Sequence, residues 1–362
     1  AGGHSVRAST AQIEGPIQPT IFAERCVHTR ITDASCRACI DVCPVDAWVI
    51  DDESLGIDSE YCDGCGLCAA ACPQGAIISL PFDWSDQFEN HSSVRLACER
   101  AGVDQKDATI ISCMHALGMQ QLMRLYRGGT RCLCFATGTC EQCDRNAVPG
   151  FPESLRQLNA LLQSRQLPKI ERRLTDRDHW RPHSDSAVQS GRAPALSRRA
   201  FFGEVMIRSR SLRNELTGPI EEPPFIPPAR LLPRIRQKDV VPCVPQIDST
   251  KCNGCDACVS LCPQQAIELH ATNRADALQY RLDAERCSGC GICVDVCNQD
   301  AVSIGRWRAQ TQFVLLLKTQ RCAACGVPFH LPATTKARRT SCAICAKTNH
   351  ASNLFQVLDP NC

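Results

Sequence analysis

The chain has 362 residues, a formal net charge of +2 and 28 cysteines. A balance this close to neutral argues against a dedicated nucleic-acid binder, and no apolar run approaches the ~20 residues of a spanning helix; residues 313–317 are far too short. The cysteines fall in Cys-x2-Cys units, the mark of metal sites and not of a secreted disulfide framework, and they inflate the apolar fraction of 44%, so the ordinary cores are expected to be small and the fold to depend on its metals. Roughly two to four small domains fit this length. Residues 1–10 carry no apolar stretch of a signal peptide, while the absence of an initiator Met leaves a removed leader open.

In chain order, residues 1–20 read as an arm. Residues 21–85 carry Cys26, then Cys36, Cys39 and Cys43 before Pro44, then Cys62, Cys65, Cys68 and Cys72 before Pro73. Three cysteines spaced by two residues, with a fourth before proline, form the ligand run of a bacterial-type [4Fe–4S] cluster. The closely spaced three wrap one corner of a cube, and the fourth points away to the neighbouring cluster. Gly64 and Gly66 let the backbone approach in conformations a side chain would forbid. Residues 45–50 and 55–58, around an acidic turn, read as a short strand pair.

This unit resembles a two-cluster bacterial ferredoxin. The resemblance implies one cluster on Cys26, Cys36, Cys39 and Cys72, and another on Cys62, Cys65, Cys68 and Cys43. It departs from the family at Asp33, where a cysteine is expected. Cys26 is the replacement on a longer loop; an aspartate ligand or a three-iron cluster is the rival reading.

Residues 90–173 change style. Residues 94–98, 108–113 and 130–136 read as strands, and 117–126 and 152–163 as helices, which together predict a small parallel α/β layer. Cys98 and Cys113 end the first two strands, and Cys140 and Cys143 follow the third. Ligand sites gather at the carboxyl ends of strands in such sheets, so these four thiols are expected to converge on a metal. Cys132 and Cys134 share one face of the third strand and read as core residues or as support for the metal ligands. The segment resembles the iron–sulfur delta subunit of hydrogenases that feed heterodisulfide reductases, which implies a [2Fe–2S] cluster; zinc and free thiols are the alternatives. His115 is a possible substitute ligand, although such a histidine more often packs or hydrogen-bonds.

Residues 174–244 form a connector rich in Arg, Ser and Pro, with eight prolines between positions 219 and 245. Ser197, Arg198, Arg199, Ala200, Phe201 and Phe202 resemble a twin-arginine motif and also an internal segment of ferredoxins associated with periplasmic nitrate reductase. With Arg208, Arg210 and Arg213 close behind, a basic strap docking on a partner is expected.

Residues 245–305 repeat the first module: Cys252, Cys255, Cys258 and Cys262 before Pro263, then Cys287, Cys290, Cys293 and Cys297 before Asn298. The same swapped rule gives one cluster to Cys252, Cys255, Cys258 and Cys297, and another to Cys287, Cys290, Cys293 and Cys262. Residues 267–269 and 280–282 repeat the short strand pair. In residues 306–362, a strand at 313–317 leads to Cys322 and Cys325, and Cys342 and Cys345 follow. Two knuckles at this distance resemble a zinc ribbon. Zinc, a further [4Fe–4S] cluster and a rubredoxin-like iron all suit four thiolates. His330 and His350 lie nearby, and Cys243 and Cys362 read as free.

The expected fold is therefore α+β and multidomain: two 2[4Fe–4S] ferredoxin-type modules, a small α/β domain between them, and a C-terminal zinc-ribbon-like knuckle pair. Clusters held by four cysteines leave no open position for substrate, so the expected role is electron transfer. The resemblances imply a polyferredoxin-like subunit with four [4Fe–4S] clusters, serving a catalytic subunit of the molybdenum or tungsten, hydrogenase or heterodisulfide-reductase type in the cytoplasm, with a membrane or flavoprotein subunit as a further partner. The alternatives are an assembly factor, which needs a labile site such as that at Asp33, and a zinc-ribbon interaction protein.

Overall fold

The computed structural model describes residues 18–50, 55–79, 88, 90–104, 107–146, 150–175, 225–233, 239–272, 277–335 and 339–347. Residues 1–17 of the arm, the twin-arginine segment, His350 and Cys362 lie outside them; residues 18–20 are not an arm, since Thr20 pairs with Ile78 and the Gln18 amide donates to the Ser59 carbonyl at 3.3 Å. No helix among the described residues is long and apolar enough to cross a membrane.

The first module contains β1 (Thr20–Ile21), α1 (Ala38–Asp41), β2 (Trp48–Ile50), β3 (Leu55–Ile57), α2 (Leu67–Ala71) and β4 (Ile77–Ile78). β1 pairs antiparallel with β4, and β2 with β3. Its core is small, as the composition requires: Trp48, Leu55, Ala76 and Ile77 pack with Cys26, Cys39 and Cys68.

The middle region contains β5 (Ser93–Cys98), β6 (Thr109–Ile111), α3 (Met119–Arg127), β7 (Cys132–Ala136), α4 (Gly150–Ser164) and β8 (Glu171–Leu174). The sheet is parallel in the order β6-β5-β7-β8. α4 buries Leu155, Leu158, Leu161 and Leu162, a stripe at helical spacing, and α3 buries Leu122, Met123, Leu125 and Tyr126. Both meet Leu96, Leu133 and Phe135 from the sheet in the largest apolar cluster.

One feature departs from the sequence reading. β8 has no apolar alternation, because it is an edge strand whose residues are all exposed and mostly charged. Cys132 and Cys134 are half-exposed on the sheet face opposite Leu133, with their sulfurs 4.0 Å apart. Cys134, at the centre of β7, packs against the small buried cluster of Ala97, Ala108 and Ala136.

The end of the connector folds back on the chain. Leu231 and Leu232 join the middle core, and a Cβ on Gly75 of the first module would sit 2.6 Å from the Phe225 ring. The C-terminal part follows with β9 (Val240–Ile247), α5 (Ala257–Ser260), β10 (Ile267–Ala271), β11 (Ala277–Leu282), α6 (Ile292–Asp295), β12 (Val302–Ala309), β13 (Val314–Arg321), β14 (Pro328–Pro332) and α7 (Ala343–Lys347). β9 pairs with β12, and a second sheet runs β10-β11-β13-β14. Leu315 and Leu317 of β13 enter the core of the second module, so the knuckle hairpin continues that module's sheet.

Candidate metal centres

Three of the quartets in the eight-cysteine modules each line a partly open cavity of about 20 Å³. Cys43 completes the walls around Cys62, Cys65 and Cys68; Cys262 does so for Cys287, Cys290 and Cys293; Cys297 does so for Cys252, Cys255 and Cys258. In every case the fourth thiol arrives from the other motif. Its sulfur accepts a backbone N–H four residues on: Ala47 to Cys43 at 3.4 Å, Ala76 to Cys72 at 3.3 Å, Ala266 to Cys262 at 3.2 Å and Ala301 to Cys297 at 3.3 Å. Such donors favour the thiolate.

Left-handed backbone occurs where the loops turn, at Gly64, Gly66, Gly254, Gly289 and Gly291. Asp256 takes the same conformation (φ 63°) where the Cys62 and Cys287 loops have Gly66 and Gly291, held by Tyr280 Oη at 2.6 Å and by His330 Nε2 at 2.9 Å.

The remaining quartet brings Cys26 to the others. Burial pushes the Cys39 thiol up to about 12, with Cys72, Cys36 and Cys26 adding to it in that order. The loop carrying Cys26 is tied to its neighbour by His28 Nε2, which donates to the Cys36 carbonyl at 2.8 Å. Asp33 is exposed. Burial likewise raises Cys65 and Cys293 to about 12. Buried thiols that crowd one another resist ionising unless a positive group sits among them, so the donor set fits an iron–sulfur cluster.

The middle region brings together the four thiols expected there. Cys98, Cys113, Cys140 and Cys143 line a cavity of about 230 Å³ at the carboxyl end of the parallel sheet, with Arg100, His115, Thr139 and Gln142. Arg100 donates to Cys143 Sγ at 3.1 Å and pairs with Asp144. His115 Nδ1 accepts the Phe151 N–H at 3.1 Å, and burial holds the ring neutral. Its proton therefore sits on Nε2, which is buried and without a partner among the described residues. That nitrogen is a donor seeking an acceptor, not a free lone pair for a metal.

At the C-terminal knuckles, the sulfurs of Cys322, Cys325, Cys342 and Cys345 all lie within 4.8 Å of one another. No other group of three or more Cys, His or carboxylate ligand atoms among the described residues gathers this closely. Four sulfurs about 2.3 Å from one tetrahedral ion stand about 3.8 Å apart, so this spacing suits a single ion. Backbone N–H groups of Cys342 and Cys325 pull the Cys322 thiol down to about 6, while contact with Cys325 and Cys342 pushes Cys345 up to about 12. His330 is turned away from this site into its bonds with Asp256 and Tyr280.

Two residues had no signal in the sequence. Cys243 is 3% exposed on β9, packed in one cluster with Cys287 and 3.7 Å from the Arg306 guanidinium. Arg145, 7% exposed, reaches Asp63 Oδ2 at 2.6 Å, the Ser112 carbonyl at 3.1 Å, and Glu99. It thereby ties the Cys62 loop to the rim of the middle cavity. Burial pushes the Asp63 carboxyl up, but the guanidinium outweighs it and holds the group below its ordinary range.

A family model described as a 4Fe-4S dicluster domain matches residues 34–76 and 251–301, its first match starting just after Asp33. Similar proteins include Ferredoxin 7Fe of Hydrogenibacillus schlegelii, 34% identical over 74 residues, which are 20% of this chain and 88% of that protein. Hydrogenase-4 component A of Escherichia coli is 46% identical over 39 residues, 11% of this chain and 19% of that protein. A tetrathionate reductase subunit of Archaeoglobus fulgidus is 50% identical over 45 residues, 12% of this chain and 22% of that protein. The chain thus spans about a fifth of the length of the last two.

Proposed function

The chain belongs to the iron–sulfur ferredoxin family through its two dicluster domains, and from that premise we propose that it is an electron-transfer subunit of a larger oxidoreductase. Four [4Fe–4S] clusters are assigned to the Cys26, Cys62, Cys252 and Cys287 quartets, with Cys72, Cys43, Cys297 and Cys262 as the crossed-over fourth ligands. The observation that carries the reading is that crossing, repeated in both modules and accompanied each time by an N–H donated to the fourth sulfur. When bound, the clusters supply one-electron carriage. The chain's own residues close all four ligand positions at each quartet, which leaves no place for substrate. The alanine N–H groups place positive charge against the ligand sulfurs and so favour the reduced state.

The middle cavity is assigned a [2Fe–2S] cluster on Cys98, Cys113, Cys140 and Cys143, with His115 Nε2–H donating to it. The Cys322, Cys325, Cys342 and Cys345 site is assigned zinc. A catalytic subunit of the hydrogenase, molybdenum or tungsten type is the proposed partner, in the cytoplasm. The names of the hydrogenase component and of the tetrathionate reductase protein support this class of partner. An assembly-factor role gains nothing from the geometry, since Asp33 is exposed and Cys26 stands beside Cys36, Cys39 and Cys72.

The test is a reductive titration of the anaerobically reconstituted chain, followed by electron paramagnetic resonance. Reversible one-electron signals from both modules are expected, and Cys26→Ala should remove or convert one of them. A chain that takes up no electrons contradicts the relay; a spectrum indifferent to Cys26→Ala contradicts that ligand.

A further inference from the structure

The two dicluster modules meet at a buried glutamine. Gln74 follows the ligand pair Cys72 and Pro73, and Gln264 follows the equivalent pair Cys262 and Pro263. The Gln264 side-chain amide donates to Gln74 Oε1 at 3.0 Å, and Gln74 Nε2 donates to Ser288 Oγ at 2.9 Å. Gln74 is 3% exposed and Ser288 7%. Ser288 is the neighbour of Cys287. On the other side, Gln74 stands two residues beyond Cys72, whose sulfur accepts the Ala76 N–H at 3.3 Å. One residue therefore follows a ligand of the Cys26 quartet by two positions and bonds to Ser288, next to Cys287, and to Gln264, two residues past Cys262.

A second contact runs beside it. Ser35, adjacent to Cys36, donates its N–H to Asp295 Oδ2 at 3.0 Å and its hydroxyl to Asp295 Oδ1 at 2.7 Å. Asp295 lies two residues beyond Cys293. Cys36 also stands close enough to Cys290 for their charges to interact. Every one of these contacts joins the same two quartets.

The other two quartets face away. Cys65 packs against Cys113 of the middle cavity, with Arg145 spanning the seam. The Cys252 loop lies under β14, where a Cβ on Gly254 would sit 2.0 Å from the His330 carbonyl oxygen. Within each module the quartets adjoin: Cys68 senses Cys39, and Cys258 senses Cys293.

Resting on the relay reading, we propose that Gln74 is the joint across which electrons pass between the modules, in a single line: middle cavity, Cys62 quartet, Cys26 quartet, Cys287 quartet, Cys252 quartet. One electron crosses at a time, oxidising the giving side by one and reducing the accepting side by one. No bond forms or breaks and no proton has to move. Gln74 has only to hold the two ligand corners together and to replace a gap with bonded and hydrogen-bonded atoms, through which tunnelling weakens less. Gln74 is a positioning residue, and the line places the two exchange points at its ends, by the open cavity and beneath the C-terminal hairpin.

The experiment uses the full chain, reconstituted anaerobically, with iron counted, and reads the microwave-power saturation of the reduced Cys26 signal. Cys290→Ser, which alters the neighbouring quartet, should change the half-saturation power severalfold. Cys255→Ser, which alters the far quartet, should leave it unchanged. Gln74→Leu should keep its iron and slow electron exchange between the modules severalfold after rapid photoreduction. Equal effects of Cys290→Ser and Cys255→Ser, or an exchange rate indifferent to Gln74→Leu, would overturn the joint while leaving the relay intact. A wild-type chain with iron too low for the quartets would overturn both. Should Gln74→Leu fail to fold, the two cysteine variants still decide the order.

Discussion

Two four-cysteine sites sit a few strands apart at the C-terminal end, and they are built in opposite ways. The Cys252 quartet draws Cys297 from a distant motif, lines a small cavity and keeps its thiols spread. The Cys322 quartet comes from one knuckle in the β13–β14 turn and one beyond β14, and its sulfurs crowd within 4.8 Å. Cys-x2-Cys spacing is common to both, so spacing along the chain does not select the metal. The selection lies in how far apart the sulfurs are held. Left-handed turns at Gly254 and Asp256 shape the first loop, whereas at the second site the Cys342 N–H closes on Cys322 Sγ at 3.2 Å.

The strongest way to break this comparison is to remove one knuckle. A structural zinc contributes about 10–16 kcal/mol in small peptides, and residues 339–347 have few apolar contacts of their own. Cys342→Ala should therefore lose its zinc and unfold the segment beyond β14, read by hydrogen exchange, while the iron count stays constant. Loss of iron along with zinc would mean that the two sites are not independent.

A smaller effect is expected at the seam between the first module and the middle region. Arg145→Met leaves Asp63 and Glu99 without their shared partner. A broken buried pair costs about 3–5 kcal/mol, and because Glu99 and Asp63 are partly exposed we expect about 2 kcal/mol, as a lower unfolding midpoint in denaturant. Iron in the second module should be untouched. An unchanged midpoint would show that the seam is held by packing, through Gly118 against Ala70 and Cys65 against Cys113, and not by charge.

These contrasts also mark what a sequence can carry. Three of the cluster motifs are legible because three of their four ligands lie within seven residues, with glycine at the first turn of each loop; the Cys26 quartet has only Cys36 and Cys39 so close and no glycine between them. The parallel layer is legible from the apolar periods of β5, α3 and α4, and the convergence of Cys98, Cys113, Cys140 and Cys143 from the rule about strand ends. β8 escapes because an edge strand needs no apolar face, and Asp256 because its left-handed turn is held by Tyr280 and His330 from far along the chain. At Cys132 and Cys134 the alternation gives the shared face, and Cys134 packs there against Ala97, Ala108 and Ala136. Gln74, Arg145 and Cys243 are invisible for a common reason: each acts on a partner tens or hundreds of residues away, and nothing local distinguishes a glutamine that bridges two modules from one in water.

The electron relay and the single-ion hairpin site are tested together, and most directly, by the anaerobic iron and zinc content of the full chain. Four cubanes need about sixteen irons and a [2Fe–2S] cluster about two more, so about eighteen irons with one zinc are expected. About twenty irons or more without zinc would contradict the single-ion reading of the C-terminal site, and well under sixteen would contradict the electron relay itself.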